Sequence, residues 1–332
     1  MLRVITYNVY GGGKWRSERT EHISKVFAKD ASKPADIVCL QEATDDIIGL
    51  VVQTLNDIAR RTEPTASKYQ VWTKLDALLE NPDMFPQCTE EEVSAMKSAG
   101  YMAIISRFPI KKREVIHAGS WLDDGILRCL LDVSEVAAGH PAELAVYNVH
   151  LIGGTYEKPQ DVVLKKREKR KAECMMLNDS LSEYGNCSSR EIRTALVCGD
   201  FNSDANDPEL FPETKLLPEH IFPEDCIDCW SQTRPEELGA TESHENNAFR
   251  AWLKPGQKRE ARFDRVFLYC RGGRDTCASA NALGAMVLDS ELCGTEQVGT
   301  MATVDFKGEQ SEPVPIFPSD HFGVQVQLRL GS

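Results

Sequence analysis

Thr194-Ala195-Leu196-Val197-Cys198-Gly199-Asp200-Phe201-Asn202 is an unbroken apolar run that stops on a glycine and two polar residues. Five residues of this kind bounded by a turn signal read as a buried strand, Thr194–Cys198, with Asp200 and Asn202 placed at its end. The same construction recurs along the chain: Thr6-Tyr7-Asn8 closes the run Leu2–Asn8, Leu40-Gln41-Glu42 closes Ala35–Leu40, and Asn148-Val149-His150 closes Leu144–Val149. Arg262-Phe263-Asp264 and Ser319-Asp320-His321 stand at two further strand boundaries, Arg262–Tyr269 and Phe322–Leu328. A strand holds a terminal side chain in place while the loop beyond leaves it open, so sites are built at such ends. Further strands are predicted at Tyr69–Trp72, Met102–Ser106 and Arg128–Val133. Helical spacing marks Thr20–Phe27, Asp45–Arg60 (Ile47, Ile48, Val51, Leu55 and Ile58 on one side) and Asp161–Leu181. Strands in adjacent runs as well as strands separated by helices predict an α/β fold of two packed mixed β-sheets flanked by helices, a four-layer sandwich, in a single domain over residues 1–332. Ser180–Glu191 and the Gly-, Glu- and Pro-rich Leu283–Pro318 read as surface loops or insertions.

Composition narrows the function. With 38 basic and 51 acidic side chains the net charge is −13, which repels polyanions at long range. Nucleic acid would have to be held locally, by a basic patch or by a cation reversing the sign inside one cleft. Lys165–Lys171 and Lys258–Arg262 with Arg265 are the candidate patches; the first equally fits a solvated helix face or a nuclear address. No apolar run reaches a membrane span and no secretory signal opens the chain. The 11 cysteines are irregularly spaced, several inside apolar runs (Cys39, Cys198), which predicts core thiols and a reducing nuclear or cytoplasmic setting, not secretion. Cys226 and Cys229 have redox spacing without redox flanks and are read as structural.

The strand-end set is rich in oxygen and poor in thiolate. Carboxylates and an amide suit Mg²⁺ or Mn²⁺; two histidines can bind a phosphate, and one carboxylate steered by an amide can orient water. Together these are the parts for metal-assisted phosphodiester hydrolysis. Simpler readings stand beside each: Asp200 and Asn202 as an Asx turn, Asn8 as a turn residue before Gly11, Glu42 as an acid at a helix N-terminus, His150 as a core histidine, and Asp264 as an ion-pair partner of Arg262 or Arg265.

Tyr7-Asn8, Gln41-Glu42, Gly199-Asp200-Phe201-Asn202 and Ser319-Asp320-His321, in that order, resemble the endonuclease/exonuclease/phosphatase superfamily. Arg262–Phe267, Phe317–Gly323 and Asp228-Cys229-Trp230 bring the resemblance nearest to 5′-tyrosyl-DNA phosphodiesterases. The resemblance implies Mg²⁺ held by Glu42, Asn8 and Asp320, with Mn²⁺ as a substitute. It implies Asp200 and Asn202 at the attacking water, and His321, backed by Asp264, with His150 at the phosphate. The implied partner is a single-stranded DNA 5′ end bearing a tyrosyl adduct, in DNA repair, with no membrane partner. RNA, abasic DNA, or a sphingomyelin or phosphoinositide headgroup are the alternative substrates, and a non-catalytic binding module on the same fold is the alternative class. The sequence departs from the family at Tyr10, where an Asp is usual, and at Phe201, Asp204 and Gly153. Arg128 is a further candidate phosphate contact, and Trp15, Trp121, Phe249 and Trp252 are candidate stacking aromatics.

Overall fold

The computed structural model describes all residues except 14–15, 30–32, 65–66, 81–88, 118–124, 138–141, 155–158, 187–193, 205–206, 208–210, 272–284, 305–309 and 331–332. In chain order the strands are β1 (Leu2–Asn8), β2 (Ile37–Ala43), β3 (Gln70–Thr73), β4 (Tyr101–Ser106), β5 (Ile110–His117), β6 (Gly125–Asp132), β7 (Glu143–His150) and β8 (Thr194–Asp200). They continue as β9 (Cys226–Asp228), β10 (Glu242–Ser243), β11 (Glu260–Ala261), β12 (Asp264–Cys270), β13 (Ala285–Cys293), β14 (Gly299–Val304), β15 (Gln310–Ile316) and β16 (Gly323–Leu330). The helices are α1 (Arg16–Ala28), α2 (Asp45–Thr62), α3 (Lys74–Glu80), α4 (Glu90–Ala99), α5 (Gln160–Asn186), α6 (Pro218–Ile221), α7 (Cys229–Thr233) and α8 (Ala248–Leu253).

Two six-stranded sheets, ordered β13-β16-β1-β2-β4-β3 and β5-β6-β7-β8-β12-β9, pack face to face. Leu2, Val4, Cys39, Ile104, Leu127, Val146, Leu196, Cys198, Val266 and Val326 fill the layer between them. A second apolar cluster lies between the first sheet and helices α1 and α2 (Ile5, Ile23, Phe27, Val51, Leu55), and a third between the second sheet and α5 (Tyr147, Cys174, Leu177, Leu181, Val197). The result is helix, sheet, sheet, helix, the expected four-layer sandwich. Helix α2 shows how the sequence specifies its layer: one apolar stripe is buried, Asp45 and Asp46 occupy the first turn, and Arg60 and Arg61 the last, each complementing the helix dipole.

Each sheet contains one parallel pair, β1 with β2 and β7 with β8, and every other pairing in it is antiparallel. Parallel neighbours end together, so Asn8 lies opposite Gln41, and His150 opposite Asp200. Antiparallel partners begin where those strands end. Thus Asp264, first residue of β12, pairs with Asp200, and the segment before β16 arrives beside the end of β1. Topology alone therefore delivers six strand boundaries to one edge of the sandwich.

Below that edge a polar bolt joins the sheets. Gln41 Nε2 donates to Asn148 Oδ1 (2.7 Å) and Thr6 Oγ1 (3.1 Å), while Asn148 Nδ2 donates to the Leu40 and Ala103 carbonyls, both at 2.9 Å. All of these groups are buried. Asn148→Ala would strand several of them without partners, at about 1–3 kcal/mol for each unsatisfied group. Urea denaturation is expected to show a loss of about 3 kcal/mol, and a loss below about 1 kcal/mol would show the bolt to be incidental.

Two expectations are corrected. Leu283–Pro318 is not a loop: Ala285–Cys293 is an edge strand paired along β16, and β14 and β15 form a hairpin. Its apolar start Ala285–Leu288 is cut by a register slip between Val287 and Asp289, after which Ser290 and Cys293 take the buried face, so no alternation runs the length of the strand. Ser180–Glu191 is helical as far as Asn186, the extension of α5, and its last five residues lie outside the described part. Strands β5 and β9 and helices α3 and α4 were not legible as elements.

Candidate active site

The eight strand-end residues form one connected cluster. Asn8 Nδ2 donates to Glu42 Oε1 and to Asp200 Oδ2, each at 3.0 Å, while its Oδ1 accepts the Tyr10 N–H at 3.1 Å. His150 Nε2 stands 3.7 Å from Asp200 Oδ2 and 3.9 Å from Glu42 Oε1. Asp200 Oδ1 accepts the Asn202 N–H at 2.8 Å, and Asn202 Nδ2 donates to the Leu151 carbonyl at 2.9 Å. His321 Nδ1 lies 2.8 Å from Asp264 Oδ2 and 4.0 Å from Asp200 Oδ2. The Ser319 hydroxyl donates to the Asn8 carbonyl at 2.7 Å and receives the His321 N–H at 3.2 Å, which ties the segment bearing Asp320 to the end of β1.

Several local readings hold at once. Asp200 and Asn202 do form an Asx turn, and that turn fixes one carboxylate oxygen so that the other faces the cluster. Asp264 goes to His321; Arg262 instead pairs with Asp228 at 2.7 Å, and Arg265 donates to the Ser203 carbonyl at 2.7 Å. Of the second basic cluster, Arg259, Arg262 and Arg265 are thus spent on internal contacts, and Lys258 is exposed.

Backbone strain gathers here. Tyr10, Glu42 and Asn202 have φ of 48°, 52° and 47°, the only positive values among non-glycine described residues. Asparagine tolerates that region, but a glutamate costs about 1–2 kcal/mol in it. The β2–β4 register slips between Leu40 and Ala43, a bulge that turns Glu42 out of the pleat. Gly100 makes it possible, since a Cβ there would lie 2.3 Å from the Glu42 carbonyl oxygen. Strain held in place by its surroundings is a property of functional positions.

Electrostatics assign the proton. Burial opposes a charge on His321, but the adjacent Asp264 carboxylate, with Asp200 and Asp320, outweighs it and pushes the pKa up to about 10. His321 is therefore an imidazolium over the whole physiological range, and its charge is lost only as pH rises through that value. Asp264→Asn retains a hydrogen-bond acceptor without the charge. The alkaline limb of kcat/KM is expected to move at least two units toward the ordinary histidine value near 6.5, and an unmoved limb would show that Asp264 does not hold the proton.

The donor set fits a hard divalent cation. Glu42 and Asp320 offer two carboxylates, with the Asn8 amide turning its nitrogen to Glu42 and its oxygen to the Tyr10 N–H, whereas the eight described cysteines are buried in the core. Asp200, Asp264 and His321 also offer ligand atoms within 4.8 Å of one another. In that trio the His321 nitrogen is already engaged by Asp264, which suits a charge-paired acid and base better than a coordination shell.

Three contributors were not legible in the sequence. Thr241 accepts the Phe263 and Asp264 N–H groups on its hydroxyl, both at 3.0 Å, and the Phe322 N–H on its carbonyl at 2.7 Å, clamping both sides of the His321–Asp264 pair. Asn247 Nδ2 donates to the Ser319 carbonyl at 2.9 Å. Arg19, fully buried, donates to the Val9, Tyr10 and Pro318 carbonyls and so ties the loop after Asn8 to the loop before Asp320. An arginine in a polar helix gives no such signal. Arg128, expected as a phosphate contact, is engaged by Glu114 (2.9 Å), Tyr147 (3.1 Å) and Ser180 (3.0 Å) midway along β6, three residues from the strand end, because its side chain faces α5. Phe249 is buried against Phe317 and Phe322, with Tyr10 and Trp252 partly exposed beside them; Trp15 and Trp121 lie outside the described residues.

The profile of the Endonuclease/Exonuclease/phosphatase family matches residues 5–321. No curated protein matches the sequence. Among solved structures, truncated Caenorhabditis elegans TDP2 superposes with a TM-score of 0.59 at 16% identity, covering 99% of this chain and 97% of that one. D. rerio TDP2 complexed with a single-strand DNA product gives 0.56 at 15%, covering 98% of each chain. A beta toxin of Staphylococcus aureus gives 0.56 at 15%, covering 98% and 99%. At such identities the likeness is one of fold. Among the described residues no helix is long and apolar enough to cross a membrane.

Proposed function

The chain belongs to the Endonuclease/Exonuclease/phosphatase family and is a metal-dependent phosphodiester hydrolase; on that premise we propose that it cleaves the 5′-phosphotyrosyl bond at a single-stranded DNA end, as a repair activity. The observation that carries this reading is the pair of partly exposed rings Tyr10 and Trp252, packed on the buried Phe249, Phe317 and Phe322, the last two on either side of the Asp320–His321 segment. Two partly exposed rings near the histidine assigned to the phosphate suit a base or a phenol, with stacking worth about 1–3 kcal/mol per base. A tyrosine leaving group has a pKa of about 10 and departs without a strong general acid. The toxin fold is as near as the DNA-bound one, so substrate choice rests on the cleft and not on the neighbours.

Asp200 Oδ2 takes the role of orienting and deprotonating the attacking water, its other oxygen being held by the Asn202 N–H. Asn202 adds an amide to the same region, next to the Leu151 carbonyl. His321, kept cationic by Asp264, donates to a non-bridging phosphoryl oxygen, and His150 supplies a second donor across the cluster. Glu42, Asn8 and Asp320 would hold Mg²⁺, or Mn²⁺ in its place, which when bound supplies Lewis-acid neutralisation of the phosphoryl charge.

Purified protein with Mg²⁺ is to be offered a 5′-tyrosyl oligonucleotide, single-stranded RNA, an abasic duplex and a short-chain sphingomyelin. The expected result is release of tyrosine with a kcat/KM at least ~100-fold above the others, a gap of about 2.7 kcal/mol. Cleavage confined to RNA, abasic DNA or lipid would refute the tyrosyl reading and leave the hydrolase.

A further inference from the structure

We infer that one charged face of α5 is a positioning device for the catalytic edge, holding the loop 151–154 against Asn202 and His150. The inference deepens the proposed mechanism and rests on the roles given there to those two residues. The basic cluster at the start of α5 is not simply a solvated face: Arg170 is fully buried and Glu173 nearly so. Lys166, Arg170 and Glu173, spaced by four and three, share one side of the helix. Lys166 Nζ donates to the Gly153 carbonyl at 2.7 Å, Arg170 Nη1 donates to the Ile152 carbonyl, and Glu173 Oε2 accepts the Ile152 N–H at 3.0 Å. Glu213, fully buried, takes Arg170 Nε at 2.7 Å, and His117 Nε2 stands 3.6 Å from the other Glu173 oxygen.

The opposite side of the loop faces the site. Leu151 N–H donates to the Asp200 carbonyl at 2.9 Å, and its own carbonyl receives Asn202 Nδ2 at 2.9 Å. A Cβ on Gly153 would lie 2.8 Å from Asn202 Oδ1, so only glycine lets the loop lie this close to the amide. The loop begins one residue after His150, and α5 presses it between three ionised side chains and Asn202. Burying ions to pack a helix is more costly than burying apolar residues of the same volume. The three charges instead grip consecutive backbone groups, which apolar side chains cannot do.

The test replaces the buried pair by the double substitution Arg170→Met with Glu213→Met, alongside Lys166→Met and the conservative Arg170→Lys. Activity on the 5′-tyrosyl oligonucleotide and hydrogen exchange over 151–154 are the two readouts. A positioning role predicts that the double variant melts within a few degrees of the parent and exchanges at least tenfold faster over 151–154. Its kcat should fall about tenfold with KM within twofold, and Arg170→Lys should recover part of the loss. A merely structural pair predicts parental kcat and parental loop exchange in a folded double variant, and that result overturns the inference. Should the double variant not fold, Lys166→Met decides: a kcat reduced about threefold with faster loop exchange supports the device, and unchanged values refute it. A parent protein inactive on every substrate would sink the functional reading alone, while loop exchange in the variants still decides the anchoring.

Discussion

Asp200→Asn is expected to lower kcat about 10³-fold while leaving KM within a few-fold and the melting temperature within a few degrees of the parent. The size follows from the role: a positioned general base contributes about 10²–10⁴ in rate, and an amide cannot take the proton from water. The substituted amide keeps an oxygen for the Asn202 N–H, the bond that holds Asp200 Oδ1 at 2.8 Å, while its nitrogen meets the Asn8 amide nitrogen that had donated to Oδ2, a local cost set against the relief of charge. Removing a negative charge from a cluster that also contains Glu42, Asp264 and Asp320 relieves repulsion, and function bought with such repulsion is recovered as stability when the site is disarmed. Undiminished turnover in a folded Asp200→Asn protein would fail the catalytic assignment of Asp200 even though the fold held.

Glu42→Gln has the second large effect, and its signature is different. Glu42 is held at a φ of 52° by the bulge in β2, so its side chain is aimed before any ligand arrives. Losing a carboxylate charge from a hard-cation site weakens binding far more than losing a neighbouring hydrogen bond, which itself costs about 10–100-fold in metal affinity. The Mg²⁺ concentration for half-maximal rate is expected to rise at least ~100-fold, with partial recovery at high Mn²⁺. Isothermal titration of the same variant with Mn²⁺ should show the weakening without any substrate. An unchanged Mg²⁺ response would remove Glu42 from the metal site even if the protein remained active.

The fold and the chemical residues were legible for the same reason. A strand buried on both faces has to be apolar, so the sharp arrival of Asn8, Glu42, His150 and Asp200 at strand ends stood out against the runs before them. Their convergence is a consequence of topology: two parallel pairs and two antiparallel returns bring those ends to one edge. What could not be read were residues whose role depends on a partner distant in sequence. Thr241 carries no pattern of its own, yet it clamps Asp264 and Phe322. Arg19 and Arg170 belong to helices of polar composition, and burial of a guanidinium is decided by the carbonyls it meets. Arg128 misled for the converse reason, since a basic residue in a strand says nothing about which face it takes. The edge strand Ala285–Cys293 escaped because a register slip between Val287 and Asp289 breaks its period and puts the polar Ser290 on the buried face.

The central claim is that the eight strand-end residues serve one hydrated divalent cation and the phosphate beside it. Anomalous diffraction from a crystal of the protein soaked in Mn²⁺ tests it most directly. One peak is predicted at about 2.0–2.3 Å from a Glu42 carboxylate oxygen, with Asn8 and Asp320 around it and Asp264 still bonded to His321. A peak lodged between Asp264 and His321, or strong binding elsewhere with nothing at Glu42, would contradict it.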